Sequence, residues 1–259
     1  MPNIIITGAS EGIGAELARQ LARRHGLQAM LVLAARNANT LQSVSAECKA
    51  LGARTLILPT DVTDPAQCQH LVDTTVRECG GLDILINNAG VSAHANFEDV
   101  PADKLAWYEQ LMRVNLWGSI YCTHAAMPHL KQTQGRIVAL SSLAGLVGIP
   151  GRTAYCASKF ALVAISRTLQ QELNGTGVFC SVICPGVAQT GFQLNAPNEK
   201  YPRAAALSSC TSAQVADAVI DAMQRRRMGE VIVPWHSTLL MRFGAAFPGV
   251  ARAIMNMIG

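Results

Sequence analysis

Charge is sparse in this chain and never gathers into a long run. Asp, Glu, Lys and Arg make up 15% of the 259 residues, and the formal net charge of +4 comes from scattered arginines. The densest basic group, Arg225 to Arg227, ends a predicted helix, where cations favour the dipole. Basic stripes with interleaved aromatics are missing, which argues against nucleic-acid binding. The eight cysteines contain no C-x2-C pair and the six histidines no H-x3-H or H-E-x2-H spacing, so no metal site is expected. The thiols read as free and buried. MPNIIITG enters an apolar strand without a basic n-region, a long apolar run or a cleavage site. A reducing, cytoplasmic setting is therefore expected.

What the chain has is apolar bulk. Half of its residues are hydrophobic, which suits a sheet covered on both faces and a buried oligomer interface. The length fits one domain. Residues 3 to 6, NIII, read as a buried parallel strand that delivers the chain into Thr7-Gly8-Ala9-Ser10-Glu11-Gly12-Ile13-Gly14 and then a helix. Glycines there let the backbone come close to a pyrophosphate, while free N–H groups and the helix dipole face the anion. The next strand, AMLVLAAR, ends about twenty residues beyond the last glycine, where an acidic residue would bond the ribose 2′-hydroxyl of NAD. Arg36 stands there instead, and a guanidinium suits a 2′-phosphate, so NADP(H) is preferred, with NAD(H) the alternative. Glu11 is contrary evidence, because a carboxylate in the loop adds no positive charge.

The pattern repeats. Strand RTLILPT leads to Asp61-Val62, a helix spans roughly 65 to 79, Gly80-Gly81 breaks it, and LDILIN opens into Asn87-Asn88-Ala89-Gly90. Strand and helix alternating in this way predict right-handed βαβ units in a parallel, doubly wound α/β sheet, whose ligands gather at the carboxyl ends of the strands. Residues 103 to 127 read as one long helix, in which Asn115 marks a kink holding a water or a neighbouring residue. GRIVALSS is the fifth strand, GVFCSVICPG the sixth and GEVIVPW the seventh. Thr211 or Ser212 caps a helix to about 226.

The chemistry lies in residues 138 to 166. A strand closes at Ser142, a helix opens near Tyr155, and Lys159 follows one turn on, so Tyr155 and Lys159 share a helix face. A tyrosine titrates near pH ~10 and needs a neighbouring cation to exchange protons at neutral pH. Lys159 is such a cation. Ser142 can hold a substrate carbonyl or alcohol within about 3 Å of the phenol. A lone Tyr-x3-Lys is a weak motif that needs the rest of the chain behind it.

Taken together these motifs resemble the short-chain dehydrogenase/reductase family, in order and over nearly the whole chain: TGASEGIG at 7 to 14, Asp61-Val62, NNAG at 87 to 90, Asn115, Ser142, YCASK at 155 to 159, and Pro185-Gly186 with Thr190. The resemblance implies a Rossmann-like, seven-stranded parallel sheet flanked by helices. It implies a catalytic set of Ser142, Tyr155, Lys159 and Asn115, with Tyr155 as acid and base, Ser142 orienting the substrate oxygen and Asn115 supporting a water linked to Lys159. Lys159 would also hold the nicotinamide ribose, Asp61-Val62 would meet the adenine, and Asn87, Ala89 and Gly90 the adenine ribose side. Pro185, Gly186, Ala188 and Thr190 would meet the nicotinamide end. Two positions depart from the family pattern: Glu11 where Lys or Arg is frequent in NADP-preferring members, and Ala188 where Val or Ile is common. Family members commonly pair through the helices that here hold Asn115 and Tyr155, so a homodimer or homotetramer is expected.

The implied reaction is hydride transfer between a nicotinamide and a ketone or secondary alcohol. Substrate walls are expected after Ser142, including Leu143, after Gly90, and in a loop at about 188–210 that includes Phe192. They are mostly apolar, which points to a hydrophobic small-molecule carbonyl or alcohol. Hydroxysteroid dehydrogenases and 3-oxoacyl-thioester reductases share the same motifs. A cofactor-retaining epimerase or dehydratase is disfavoured by the glycine spacing, and a non-catalytic NADP-binding sensor or scaffold by the intact Ser-Tyr-Lys-Asn set. The tail at about 235–259 is too interrupted by Arg242 and Arg252 to span a bilayer. Packing on the substrate loop or a subunit interface is expected for it, with peripheral membrane contact as a second reading.

Overall fold

A computed structural model describes residues 2–102, 105–189, 208–226, 228–239 and 249. Thr190, Phe192, most of the expected substrate loop and most of the apolar tail lie outside the described residues. Seven parallel strands form one sheet: β1 (Asn3–Thr7), β2 (Met30–Ala35), β3 (Arg54–Pro59), β4 (Ile84–Asn87), β5 (Arg136–Leu140), β6 (Phe179–Pro185) and β9 (Gly229–Val233), in the order β3-β2-β1-β4-β5-β6-β9. The order reverses beside β1, so the carboxyl ends of β1 and β4 flank the crevice where such sheets bind ligands. A second, two-stranded parallel pair joins β7 (Val187–Gln189) to β8 (Ser209–Thr211). The sequence reading treats both as loop, because three-residue strands carry no legible alternation.

Side-chain alternation explains how both faces close. In β1, Ile4 and Ile6 point into the layer built with Leu17 and Leu21 of α1 (Gly12–His25), Leu41 of α2 (Ala38–Ala50) and Val215 and Val219 of α7 (Ser212–Gln224). Ile5 points the other way, among Leu71 and Val72 of α3 (Pro65–Cys79) and Cys122 and Leu130 of α5 (Gly118–Thr133). Leu162 and Val163 of α6 (Thr153–Glu172) extend that second layer over β6. The period of two in a strand makes one apolar run serve two cores.

Local signals set the helix ends. Asp64 accepts from the N–H groups of Ala66 (2.8 Å) and Gln67 (3.4 Å), Pro65 occupies the first turn of α3, and Gly80 closes it in the left-handed region at φ 80°. Thr211 forms a capping box with Gln214 at the start of α7. The expected long helix carrying Asn115 is instead α4 (Ala106–Met112), one π-helical turn (Arg113–Trp117) and α5. The inserted residue of a π turn is the kink that Asn115 marks.

Candidate active site

The glycine turn is shaped by close approach. Gly8 and Gly12 have φ of 65° and 57°, in the left-handed region. A Cβ on Gly8 would lie 2.8 Å from Ala89 Cα, and one on Gly14 would lie 2.2 Å from the Gly8 carbonyl oxygen. The loop is pinned to the residues after β4: Thr7 Oγ1 accepts from the N–H groups of Asn88 and Ala89, both at 3.0 Å, and Asn88 Nδ2 donates to Thr7 O at 2.9 Å and Gly8 O at 3.1 Å. Glu11 precedes α1 without a side-chain cap, so the dipole of a fourteen-residue helix opens onto the turn with no capping oxygen.

Beside it lie the ends of β2 and β3. Arg36 is exposed at the rim, and Asn37 caps α2 through the N–H groups of Asn39 and Thr40. Asp61 Oδ1 accepts from Thr63 N–H at 2.9 Å and Thr63 Oγ1 at 2.8 Å, which orders the loop that presents Val62.

The third part comes from β5, α6 and the π turn. The strand stops at Leu140, two residues before Ser142, which caps a 3-10 turn: its Oγ accepts from Ala144 N–H at 3.1 Å and donates to Pro185 O at 3.4 Å. On α6, Lys159 Nζ donates to Leu140 O at 2.8 Å and lies 5.8 Å from the Tyr155 ring centroid. Burial pushes the Lys159 ammonium down to about 8, because no described carboxylate offsets its desolvation. Arg152, one turn before Tyr155, places its guanidinium carbon 5.9 Å from the same ring and donates from Nη1 to Ser92 Oγ at 3.0 Å. Asn115 is fully buried and bonds Val91 and Ser158, and a Cβ on Gly90 would lie 3.3 Å from Asn115 Oδ1 and 3.6 Å from Lys159 Nζ. Gly90 thus brings the π turn and the ammonium together.

These parts line one cleft of about 410 Å³. It brings together Gly8, Ser10, Glu11, Gly12, Ile13, Arg36, Asp61, Val62, Ala89, Gly90, Ser142, Leu143, Tyr155, Lys159, Pro185, Gly186 and Ala188. Three expected residues lie behind its wall. Gly14 packs on Gly8, Asn115 sits beneath Val91, and Asn87 is buried with Nδ2 donating to Thr123 Oγ1 at 2.9 Å while Asn88 takes the lining position. Sequence reasoning assigns no role to Thr7, Ser158 or Arg152. Arg152 stands just before α6 with non-helical backbone angles, so helix spacing gave no signal for its place beside Tyr155. Among the described residues no group of three or more His, Cys, Asp or Glu could hold a metal ion, and no helix is long and apolar enough to cross a membrane.

The family model for short chain dehydrogenases matches residues 2–201. The chain belongs to the short-chain dehydrogenase family. This short-chain dehydrogenase is therefore an oxidoreductase acting on alcohol and ketone groups, in a family that uses NAD(P). It is 36% identical over 226 residues to an 11-beta-hydroxysteroid dehydrogenase-like protein, 4A, of Arabidopsis thaliana, covering 86% of this chain and 73% of that one. It is 35% identical over 232 residues to the ketoacyl reductase HetN of Nostoc sp., covering 89% and 77%. The fold matches that of the alcohol dehydrogenase of the archaeon Thermococcus sibiricus complexed with 5-hydroxy-NADP, with a TM-score of 0.78 at 25% identity over 90% of this chain and 96% of that one.

Proposed function

We propose that this short-chain dehydrogenase interconverts a ketone and a secondary alcohol with NADP(H), with Tyr155 as the proton donor and acceptor. The observation that carries this reading is the Tyr155–Lys159 pair, ring centroid to Nζ 5.8 Å, in the same cleft as an uncapped helix N-terminus and its glycine turn. The residues fit the cofactor. Gly8 and Gly12 keep the turn open to a pyrophosphate, and Arg36 at the end of β2 suits a 2′-phosphate. Lys159 and the Pro185–Ala188 segment would hold the other end.

When bound, the nicotinamide supplies or accepts the hydride. The chain's own residues handle the proton. In reduction the Tyr155 hydroxyl gives its proton to the carbonyl oxygen, and the Lys159 ammonium offsets the phenolate charge that results. Ser142 Oγ donates to Pro185 O only at 3.4 Å, a long bond, and can turn that hydrogen to the substrate oxygen. Asn115 sets the position of Gly90 and Val91 beside Lys159.

Val91, Leu143, Ala144, Ile149 and Val187 line the reacting end, which supports an apolar substrate body. Relatives named for hydroxysteroids and for ketoacyl groups both accord with such a wall. Trp117 and Phe160 stay 44% and 43% exposed on the π turn and α6, which supports pairing through those helices; sedimentation at micromolar protein tests it. The activity itself is tested by following NADPH and NADH consumption with aliphatic ketones, steroids, quinones and 3-oxoacyl thioesters. Consumption of NADPH by at least one class is expected, and none with any class overturns the reading.

A further inference from the structure

Between the 3-10 turn at Leu143–Gly145 and the start of α6 runs a short connection whose middle, residues 147 to 149, belongs to no helix or strand. Turns tie its two ends: Val147 N–H donates to Leu143 O at 3.0 Å, and Arg152 N–H donates to Ile149 O at 3.1 Å. Between them, Ile149 N–H and Val147 O have no main-chain partner among the described residues. Both meet one sulfur. Ile149 N–H donates to Cys156 Sγ at 3.4 Å, and the Cys156 thiol donates to Val147 O at 3.9 Å. Gly148, which the sulfur spans, has nothing within 4 Å of where a Cβ would lie, so no packing holds the segment there. Cys156 is 7% exposed and belongs to a small core with Leu111, Ala144 and Tyr155. Burial pushes its thiol up, so it stays protonated and is donor and acceptor at once.

Backbone polar groups beside an apolar wall need partners, and the thiol supplies one of each from a single atom. Ile149 lines the cleft with Val91, Leu143 and Ala144, so the place of its side chain depends on a backbone held from the residue next to Tyr155. We propose that Cys156 is a positioning residue for substrate selection: by holding residues 147 to 149 it fixes Ile149 beside the reacting carbon and restricts the bulk that a ketone or secondary alcohol carries there. This rests on the reading of Tyr155 as the proton-transfer group and narrows its substrates to compounds with one compact apolar substituent. Cys156 itself touches neither substrate nor cofactor. Its effect passes through Ile149, and selection by the fit of an apolar group to a wall is read in KM more than in kcat.

The test compares NADPH-linked reduction of 2-octanone and 4-octanone, which have the same atoms and differ in the smaller substituent. In the wild type kcat/KM for 2-octanone should exceed that for 4-octanone by at least about tenfold. Cys156→Ala should bring the ratio to within about threefold of one through a lower KM for 4-octanone, with kcat for 2-octanone little changed. Cys156→Ser, which keeps a donor and an acceptor, should keep most of the ratio. Ile149→Ala should lower it too, and the double variant should match Ile149→Ala within about twofold, because both changes act through one side chain. An unchanged ratio in Cys156→Ala, an equal loss on both ketones, independent effects of the two substitutions, or a wild type that prefers 4-octanone overturns the proposal. Amide hydrogen exchange of the peptide holding Ile149 is independent of turnover. It should speed up at least about tenfold in Cys156→Ala and stay near wild type in Cys156→Ser, with the rest of α6 unchanged. Equal exchange in the wild type and Cys156→Ala overturns the proposal whatever the kinetics. A wild type that reduces other ketones but neither octanone overturns the selection, whereas one that reduces no carbonyl removes the proton-transfer reading, and exchange alone then decides whether Cys156 holds the segment.

Discussion

Asn115 and Val91 hold each other at both ends of an amide: Val91 N–H donates to Asn115 Oδ1 at 2.7 Å, and Asn115 Nδ2 donates to Val91 O at 3.0 Å. The other Nδ2 hydrogen goes to Ser158 Oγ at 2.9 Å, and that hydroxyl donates to Tyr155 O at 2.8 Å. One side chain on a π turn therefore joins the loop after β4 to the helix that carries Tyr155 and Lys159. A helix-interior asparagine can do this because the wider turn lets its side chain point across to a neighbouring loop rather than back along its own helix.

Asn115→Leu removes all three bonds and leaves Val91 N–H and C=O facing an apolar group, which costs about 1 to 3 kcal/mol per orphaned group. Urea unfolding should show that loss, and turnover should fall with it as Gly90 shifts against Lys159. A variant within about 0.5 kcal/mol of wild type would show that the pair is not needed for stability.

Tyr155→Phe keeps the ring near Arg152 and Lys159 and deletes only the hydroxyl. Turnover should drop by at least about a hundredfold, the lower range for general acid–base catalysis, while NADPH titration by fluorescence stays near wild type. Wild-type turnover from this variant would remove Tyr155 from the chemistry.

Arg36→Ala deletes the cation at the end of β2 and leaves the Asn37 cap of α2 in place. The ratio of kcat/KM for NADPH to that for NADH should fall at least about tenfold, equivalent to about 1.4 kcal/mol. An unchanged ratio would assign the nucleotide preference to other residues of the rim.

Lys159 links stability to pH. Burial holds its ammonium at about 8 against 10.5 for a free lysine, so the folded state carries a penalty of roughly 3 kcal/mol whenever the amine is charged. That penalty is present in full below about pH 8 and fades as pH rises towards 10.5, where the unfolded chain also loses the proton. Unfolding of wild type and Lys159→Met across this range should therefore show the difference moving by about 3 kcal/mol in favour of the wild type. The buried thiols of Cys180 and Cys184, pushed up to about 12, stay neutral in both folded proteins and cancel in the comparison. A difference that stays flat with pH would mean that Lys159 is not desolvated.

Much of this molecule is written in short-range pattern. The run NIII, the cap Asp64-Pro65 with Gly80, the capping residue Thr211, the glycine turn and the Tyr155–Lys159 spacing each act within one helical turn or one strand repeat, so neighbouring residues alone dictate them. The seven-stranded parallel sheet follows from alternating strands and helices for the same reason. Other features depend on distant partners. Whether Asn87 or Asn88 reaches the cleft is decided by which face of β4 meets Thr123 of α5 and which meets the glycine turn. The short β7–β8 pair, the partnership of Asn115 with Val91, and the placing of Arg152 against Ser92 require strands and helices packed from opposite parts of the chain. Hydrophobic periodicity assigns a residue to a face and is silent on what that face will touch, so the Tyr155–Lys159 spacing was legible before folding and the contact of Arg152 with Ser92 beside it was not.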